Sequence, residues 1–315
     1  MTALRLMRPQ DWTKNLFVLI PIIFWLGTPG DPAVTTTDFR PVLLAMQAFA
    51  SFCLVASAVY CFNDAFDAEK DRTHPVKRLR PVASGAISPR GAMLVGLTSG
   101  LCGLGIAALA GFGVLVVLLI YLALQVAYNG GAKYVVLVDV VVIALGFALR
   151  AAAGAFAIED QLSIWLLLCV FFLCLFLGFT KRLCDHSSAA RDPESNWSAP
   201  AGYDDVMELN WLLAVSAVLS IMTYLTYALS SHTYQLFGSG AYGIALLTPV
   251  VLVVMHRFYR RALKGESDSP MQALLKDRVV QVGVALYCAG VLASLCSQTV
   301  RDLLGDLLVN REFMS

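Results

Sequence analysis

The chain has 315 residues, 58% of them hydrophobic and only 14% charged, with a mean hydropathy of +0.70 and a net charge of +1. A soluble domain carries about a quarter charged residues, so too few charges are present to cover a water-facing surface. These figures exclude a secreted disulfide scaffold, a nucleic-acid binder and a disordered regulator, and they point to an all-α polytopic membrane protein.

A helix that crosses the hydrocarbon core needs about 20 mostly apolar residues. Nine segments qualify in chain order: 13–29, 41–62, 91–111, 113–130, 134–157, 162–181, 209–230, 240–259 and 280–299. Arg5, Arg8 and Lys14 precede the first apolar run, but no small-residue cleavage site follows it, so it is expected to be retained as a helix. The third and fourth segments are joined only by Gly111-Phe112-Gly113, which predicts a tight hairpin. Pro21 and Pro249 lie inside the first and eighth; a spanning helix tolerates them where neighbours satisfy the freed carbonyl. Ser269-Pro270 reads as an N-cap followed by proline at the first helical position, predicting a short helix that carries Lys276, Asp277 and Arg278. The cysteines lie almost entirely in apolar runs without CxxC spacing and read as small buried hydrophobes. With no repeat and no soluble segment, residues 1–315 read as one transmembrane domain.

Charge placement sets the expected orientation. If the N-terminus is cytoplasmic and nine spans alternate, nineteen of the 23 Lys and Arg fall in cytoplasmic segments or at the helix ends bordering them. The opposite side keeps Arg40, Arg301 and Arg311, while Arg150 lies inside the fifth span. This matches the positive-inside rule and gathers the chemistry on the cytoplasmic face of the cell membrane. Trp12, Trp25, Trp165 and Trp211 sit near span ends and read as interfacial anchors.

The sharpest motif is Asn63-Asp64-Ala-Phe-Asp67-Ala-Glu69-Lys70-Asp71, at the cytoplasmic end of the second span. Asp64, Asp67 and Asp71 are spaced i, i+3, i+7 and project from one face of a helix. Carboxylates facing the same way repel unless a cation lies between them. A hard divalent ion such as Mg²⁺ takes their oxygens and keeps positions open for phosphate. The plain alternative is a solvated acidic helix end. A basic run follows, Lys77-Arg78-Leu-Arg80-Pro81. Metal on some oxygens and guanidinium forks on others is how a diphosphate is held; alone, the run would be an ordinary positive-inside loop. Arg150 is set to hold a substrate phosphate or to pair with a carboxylate. Asp139 is set to orient Lys133 or Arg150, or to bind substrate.

Asn-Asp-x-x-Asp-x-x-x-Asp after a second span resembles the UbiA superfamily of membrane prenyltransferases. Met7-Arg8-Pro9-Gln-Asp-Trp12-Thr-Lys14-Asn15, Tyr128-Asn129 with Lys133 and Asp139, Gly146-Phe147 with Arg150, Lys181-Arg182 and Asp277-Arg278 are similar to its decaprenyl-phosphate phosphoribosyltransferase branch. The resemblance implies nine helices around a central cavity open to the cytoplasm. It also implies Mg²⁺-dependent transfer of 5-phosphoribose from phosphoribosyl pyrophosphate to a polyprenyl phosphate. Asn63, Asp64, Asp67 and Asp71 would serve Mg²⁺ and the diphosphate; Lys14, Lys77, Arg78 and Arg80 would serve phosphate groups. Lys133 and Lys181-Arg182 would hold the ribose 5-phosphate or the lipid phosphate. Many relatives carry a second Asp-x-x-x-Asp motif after the sixth span. Here Lys181-Arg182 leads that loop and Asp185 and Asp192 are seven apart, which favours a donor with an extra phosphate. The competing expectations are a prenyltransferase with an aromatic or other acceptor, and a transporter or lipid-binding protein. Partners are the two substrates and membrane lipids; self-association into a homo-oligomer stays open.

Overall fold

The computed structural model describes residues 2–26, 39–73, 77–158, 163–191, 202–266 and 270–308. Its helices are α1 (Thr2–Met7), a 3₁₀ run over Pro9–Leu19, α2 (Ile20–Leu26), α3 (Arg40–Phe66), α4 (Ala68–Arg72), α5 (Pro89–Ala110), α6 (Phe112–Gly130), α7 (Val138–Ala157), α8 (Ile164–Arg191), α9 (Val206–Ala228), α10 (Ser231–Phe237), α11 (Gly240–Leu246), α12 (Thr248–Leu263), α13 (Pro270–Lys276), α14 (Arg278–Cys296) and α15 (Gln298–Leu308), with short 3₁₀ turns at Lys77–Leu79 and Ala132–Tyr134. Among the described residues, eight helical stretches are long and apolar enough to cross a membrane, with α11 and α12 together forming one of them. The protein is an all-α, multi-pass membrane protein.

The first expected span is built differently from a single α-helix. Proline at 21 has no N–H for an i→i−4 ladder. The 3₁₀ run therefore ends at Leu19 and an α-helix restarts at Ile20, with Pro21 in its first turn. Residues 27–29 of that span lie outside the described residues, as do Ser269, His74 and Asp192. The eighth span also divides, at Leu247, and Pro249 sits in the first turn of α12 where its missing donor costs nothing. The tight hairpin appears as expected, with Gly111 at φ 144° between α5 and α6, a conformation that favours glycine.

Contacts gather into two compact units: Met1–Ile23 with Asp38–Lys133 and Leu145–Leu162, and Phe24–Thr37 with Tyr134–Ala144 and Ser163–Ser315. In the first, α3 and α5 pack along a seam of small residues, since lipid supplies no hydrophobic drive and close approach must. Ala92, Gly96, Ser99, Gly103 and Ala107 of α5 are buried at helical spacing. A Cβ at Gly103 would lie 2.8 Å from Val55 Cγ2 and 3.0 Å from the Ser51 carbonyl oxygen, so any larger residue would force the helices apart. Ser99 Oγ donates to the Leu54 carbonyl across the seam at 2.8 Å. The 3₁₀ run closes on α7 at Gly154, where a Cβ would collide with the Val18 carbonyl.

In the second unit, Tyr224, Ala228, Phe237, Ile244, Val291 and Leu295 form a core cluster. The Tyr224 hydroxyl donates to the Ile244 carbonyl. Ser294 packs against Gly240 and Gly243, neither of which has room for a side chain.

Candidate active site

Each unit carries a buried cluster of charges. In the first, helix α3 ends at Phe66, the chain bends at Asp67 (φ −86°, ψ 3°), and α4 begins at Ala68. The bend breaks the continuous helix that the i, i+3, i+7 spacing assumes. Asp64 and Asp71 turn inward and are 1% and 3% exposed. Asp67 is half-buried and makes no side-chain hydrogen bond or ion pair among the described residues. Arg8 Nη2 lies 2.6 Å from Asp64 Oδ1. Arg80 Nη1 lies 2.7 Å from Asp71 Oδ2 and 3.4 Å from Asp64 Oδ1, bridging the two carboxylates. Asp64 Oδ2 is buried with no hydrogen-bond partner.

Arg8 was legible only as part of the opening motif; its partnership with Asp64 was not. Its backbone is left-handed at φ 51°, ψ 62°, rare for a residue with a Cβ. The guanidinium lies 4.9 Å from the centre of the Tyr60 ring as well as on Asp64, so two contacts fix it. Lys14 sits a turn further on and pairs with Asp11 at 2.6 Å. Lys77 and Arg78 are exposed in the 3₁₀ turn before Arg80, Asn63 is half-buried beside Asp64, and Lys133 is half-buried in its own 3₁₀ turn.

Arg150 is buried in the first unit and its partners are neutral. Nε donates to Asn15 Oδ1 at 2.7 Å, Nη1 to the Gly146 carbonyl at 2.8 Å and Nη2 to the Tyr121 hydroxyl at 3.1 Å. The rings of Tyr121, Phe147 and Phe52 lie 4.8, 5.3 and 5.6 Å from the guanidinium carbon. This corrects the expectation of a carboxylate partner: ring faces and neutral acceptors solvate the charge instead. Neither Asp139 nor any other acid pairs with it among the described residues.

Asp139 belongs to the second unit, where it is 2% exposed. Arg182 reaches its Oδ2 through Nε at 3.0 Å and Nη2 at 2.8 Å, and Arg182 Nη1 lies 3.6 Å from Asp185. The Tyr203 hydroxyl donates to Asp139 Oδ1 and accepts the Leu137 N–H at 2.8 Å. Burial and then the Asp139 hydrogen bond push the Tyr203 phenol well above its ordinary value, which keeps its proton on the donating side. Leu137 is held at φ 69°, again left-handed. Asp139 thus orients Arg182. Of the Lys181-Arg182 pair, Arg182 turns in to two carboxylates and Lys181 stays exposed.

A third cluster centres on Asp277, which caps α14 by accepting from the Val279 and Val280 N–H groups. Arg257 and Arg261 both reach its Oδ2 at 2.9 Å. Burial raises this carboxyl, but the donors from Arg261 and Arg257 outweigh it and hold the pKa below the usual aspartate value. The expected short helix is present as α13 but carries only Lys276 of the three expected residues; Asp277 is the N-cap of α14 and Arg278 its first residue.

Among the described residues, no group of three or more His, Cys, Asp or Glu side chains converges as a metal site. Mg²⁺, however, is commonly held by one or two carboxylates with substrate phosphates completing the shell. The unpartnered Asp64 Oδ2 beside Asp71 fits that donor set. In the second unit, α8, α9, α12 and α14 line a half-open, nearly wholly apolar cavity of about 270 Å³, with Cys169, Phe176, Tyr224, Met255 and Tyr287 among its residues.

Among the described residues, the apolar spans with carboxylate–arginine clusters toward their ends describe a multi-pass membrane protein. The chain belongs to the UbiA prenyltransferase family, whose model matches residues 16–196. It is 32% identical to a decaprenyl-phosphate phosphoribosyltransferase of Corynebacterium glutamicum over 89% of this chain and 82% of that one. Against the enzyme of that name from Mycobacterium tuberculosis, identity is 31% over 92% of each chain. A solved UbiA homologue from Archaeoglobus fulgidus, bound to DMAPP and Mg²⁺, shares the fold with a TM-score of 0.67 at 18% identity, over 94% of this chain and 100% of that one.

Proposed function

We propose that this enzyme transfers 5-phosphoribose from phosphoribosyl pyrophosphate to a polyprenyl phosphate of the decaprenyl type, releasing pyrophosphate. The observation that carries the reading is the near end-to-end similarity to two phosphoribosyltransferases of that name. In the reaction, a phosphate oxygen of the lipid forms a bond to the anomeric carbon of ribose. The bond from that carbon to pyrophosphate breaks, and pyrophosphate leaves with the electron pair. The acceptor oxygen is already anionic, so no general base is needed, in keeping with the absence of a nucleophile–base pair among these clusters.

Arg8 and Arg80 supply N–H donors to the departing diphosphate, where negative charge develops. Asp64 and Asp71 would hold Mg²⁺, with Asn63 and Asp67 beside them, and the bound ion would neutralise the leaving group's charge. The Archaeoglobus homologue's Mg²⁺ supports this cofactor. Lys14, Lys77, Arg78, Lys133 and Lys181 are the remaining candidates for phosphate groups. Arg150 acts through Asn15, which it holds, and Arg182 is held in place by Asp139. The apolar cavity in the second unit has the chemistry for isoprenoid chain. The basic asymmetry supports a cytoplasmic N-terminus and active site in the cell (inner) membrane.

The test uses purified protein, Mg²⁺, labelled phosphoribosyl pyrophosphate and a polyprenyl phosphate. Label passing into the organic phase is expected. Label staying aqueous, while a prenyl diphosphate is consumed with an aromatic acceptor, would replace this reading with prenyl transfer.

A further inference from the structure

Asp64 and Asp71 carry two negative charges in nearly complete burial, and Arg8 and Arg80 carry two positive charges against them. The four groups are balanced without any metal. A bare divalent ion brought between the carboxylates would leave a net charge of +2 in a site withdrawn from water, and buried uncompensated charge is strongly disfavoured. The two arginines differ in how firmly they are held. Arg8 is fixed by its backbone, by Asp64 and by the Tyr60 ring. Arg80 lies in the turn after Lys77–Leu79 with its side chain 28% exposed, close to the 22% of Arg8, and is held by a single Nη1 that spans both acids. Arg80 therefore sits between the carboxylates and is the one free to leave for phosphate oxygens.

We propose that Arg80 is a placeholder cation that makes metal binding at Asp64 and Asp71 conditional on the diphosphate: the site admits the divalent ion together with the donor, not ahead of it. The inference rests on the reading of these two aspartates as metal-holding residues. Removing the Arg80 charge acts with opposite sign on the two partners, because one is a cation and the other an anion. The bare ion meets less repulsion and finds its oxygens uncontested, while a diphosphate alone loses a guanidinium.

The experiment uses the full chain in detergent and two separate titrations, Mn²⁺ alone and inorganic pyrophosphate alone. Relative to wild type, Arg80→Gln is expected to bind Mn²⁺ about tenfold more tightly and pyrophosphate about tenfold more weakly, within the usual range for coupled sites. Arg80→Lys keeps the charge and is expected to stay within about threefold of wild type for both. The opposite signs separate the effect from misfolding, which would weaken both. Mn²⁺ binding to Arg80→Gln no tighter than to wild type, while Asp64→Asn still abolishes it, overturns the placeholder role and leaves the metal site standing. Mn²⁺ binding indifferent to both changes overturns the metal site as well. Neither result depends on donor identity, because pyrophosphate is common to phosphoribosyl and prenyl donors.

Discussion

Replacing Tyr203 with Phe deletes one oxygen and leaves a cluster of three elements without its hinge. That oxygen accepts the Leu137 N–H at 2.8 Å and donates to Asp139. A neutral bond of this kind contributes about 1 kcal/mol net, and one to a charged acceptor about 1.5–3. The sum is about 2.5–4 kcal/mol. It falls toward the lower end because Asp139 keeps Arg182 on its other oxygen. It is raised by Leu137, whose left-handed backbone at φ 69° loses the bond that holds it. For a chain of this size about 1 kcal/mol moves the melting temperature by roughly 2 °C, so a fall of about 5–8 °C is expected. The assay is thermal unfolding in detergent at a fixed scan rate, since membrane proteins unfold irreversibly. In an Asp139→Asn background the same change should cost at least about 1 kcal/mol less, because contacting residues couple. A fall below about 1 °C, or an equal fall in both backgrounds, would refute the network as a stabilising unit.

At the first unit's cluster, Asp64→Asn is expected to lower turnover by at least about 100-fold with membrane insertion intact, in line with the loss of a transition-state electrostatic contact. Excess chelator should abolish turnover and Mg²⁺ restore it; full activity in chelator would remove the metal from the site. The lowered carboxyl of Asp277 gives a pH test. Its stabilisation is complete above the ordinary aspartate value of 3.8 and is lost as pH falls below that toward the folded value. Asp277→Asn should lower the melting temperature at pH 7 and flatten its dependence on acid; an unchanged acid limb would show that the two arginines add nothing. Lys181→Gln should weaken use of phosphoribosyl pyrophosphate by about tenfold and leave plain ribose pyrophosphate largely unaffected, measured as kcat/KM for both donors. An equal loss with both donors would move Lys181 from the 5-phosphate to the lipid phosphate or the fold.

Spans were legible because hydropathy sums over about 20 residues and survives local error. The breaks at Leu19–Ile20 and Leu247 needed the knowledge of where each proline falls in a turn, which hydropathy averages away. Asp64, Asp71 and Arg80 stood out because charge is scarce in this chain; the pairing of Arg8 with Asp64 did not. Arg8 is 56 residues from Asp64, Tyr203 is 64 from Asp139, and Asn15 is 135 from Arg150. Nothing local distinguishes Arg8 from Lys14 in the same opening motif. What separates them is the left-handed backbone at Arg8, a consequence of packing that no spacing rule encodes. Tyr203 is a neutral phenol in a loop, and a sequence search for chemistry follows charge. For Arg150 the sequence leaves two readings, a substrate phosphate or a carboxylate partner, and the second does not hold: three aromatic rings, an amide, a hydroxyl and a backbone carbonyl surround the guanidinium. Each of these is ordinary in a sequence so rich in apolar residues. They become a charge-holding set only when α3, α6, α7 and the 3₁₀ run present them to one guanidinium. In a membrane span, where an acid would carry its own desolvation cost, neutral partners solve the same problem with one buried charge instead of two.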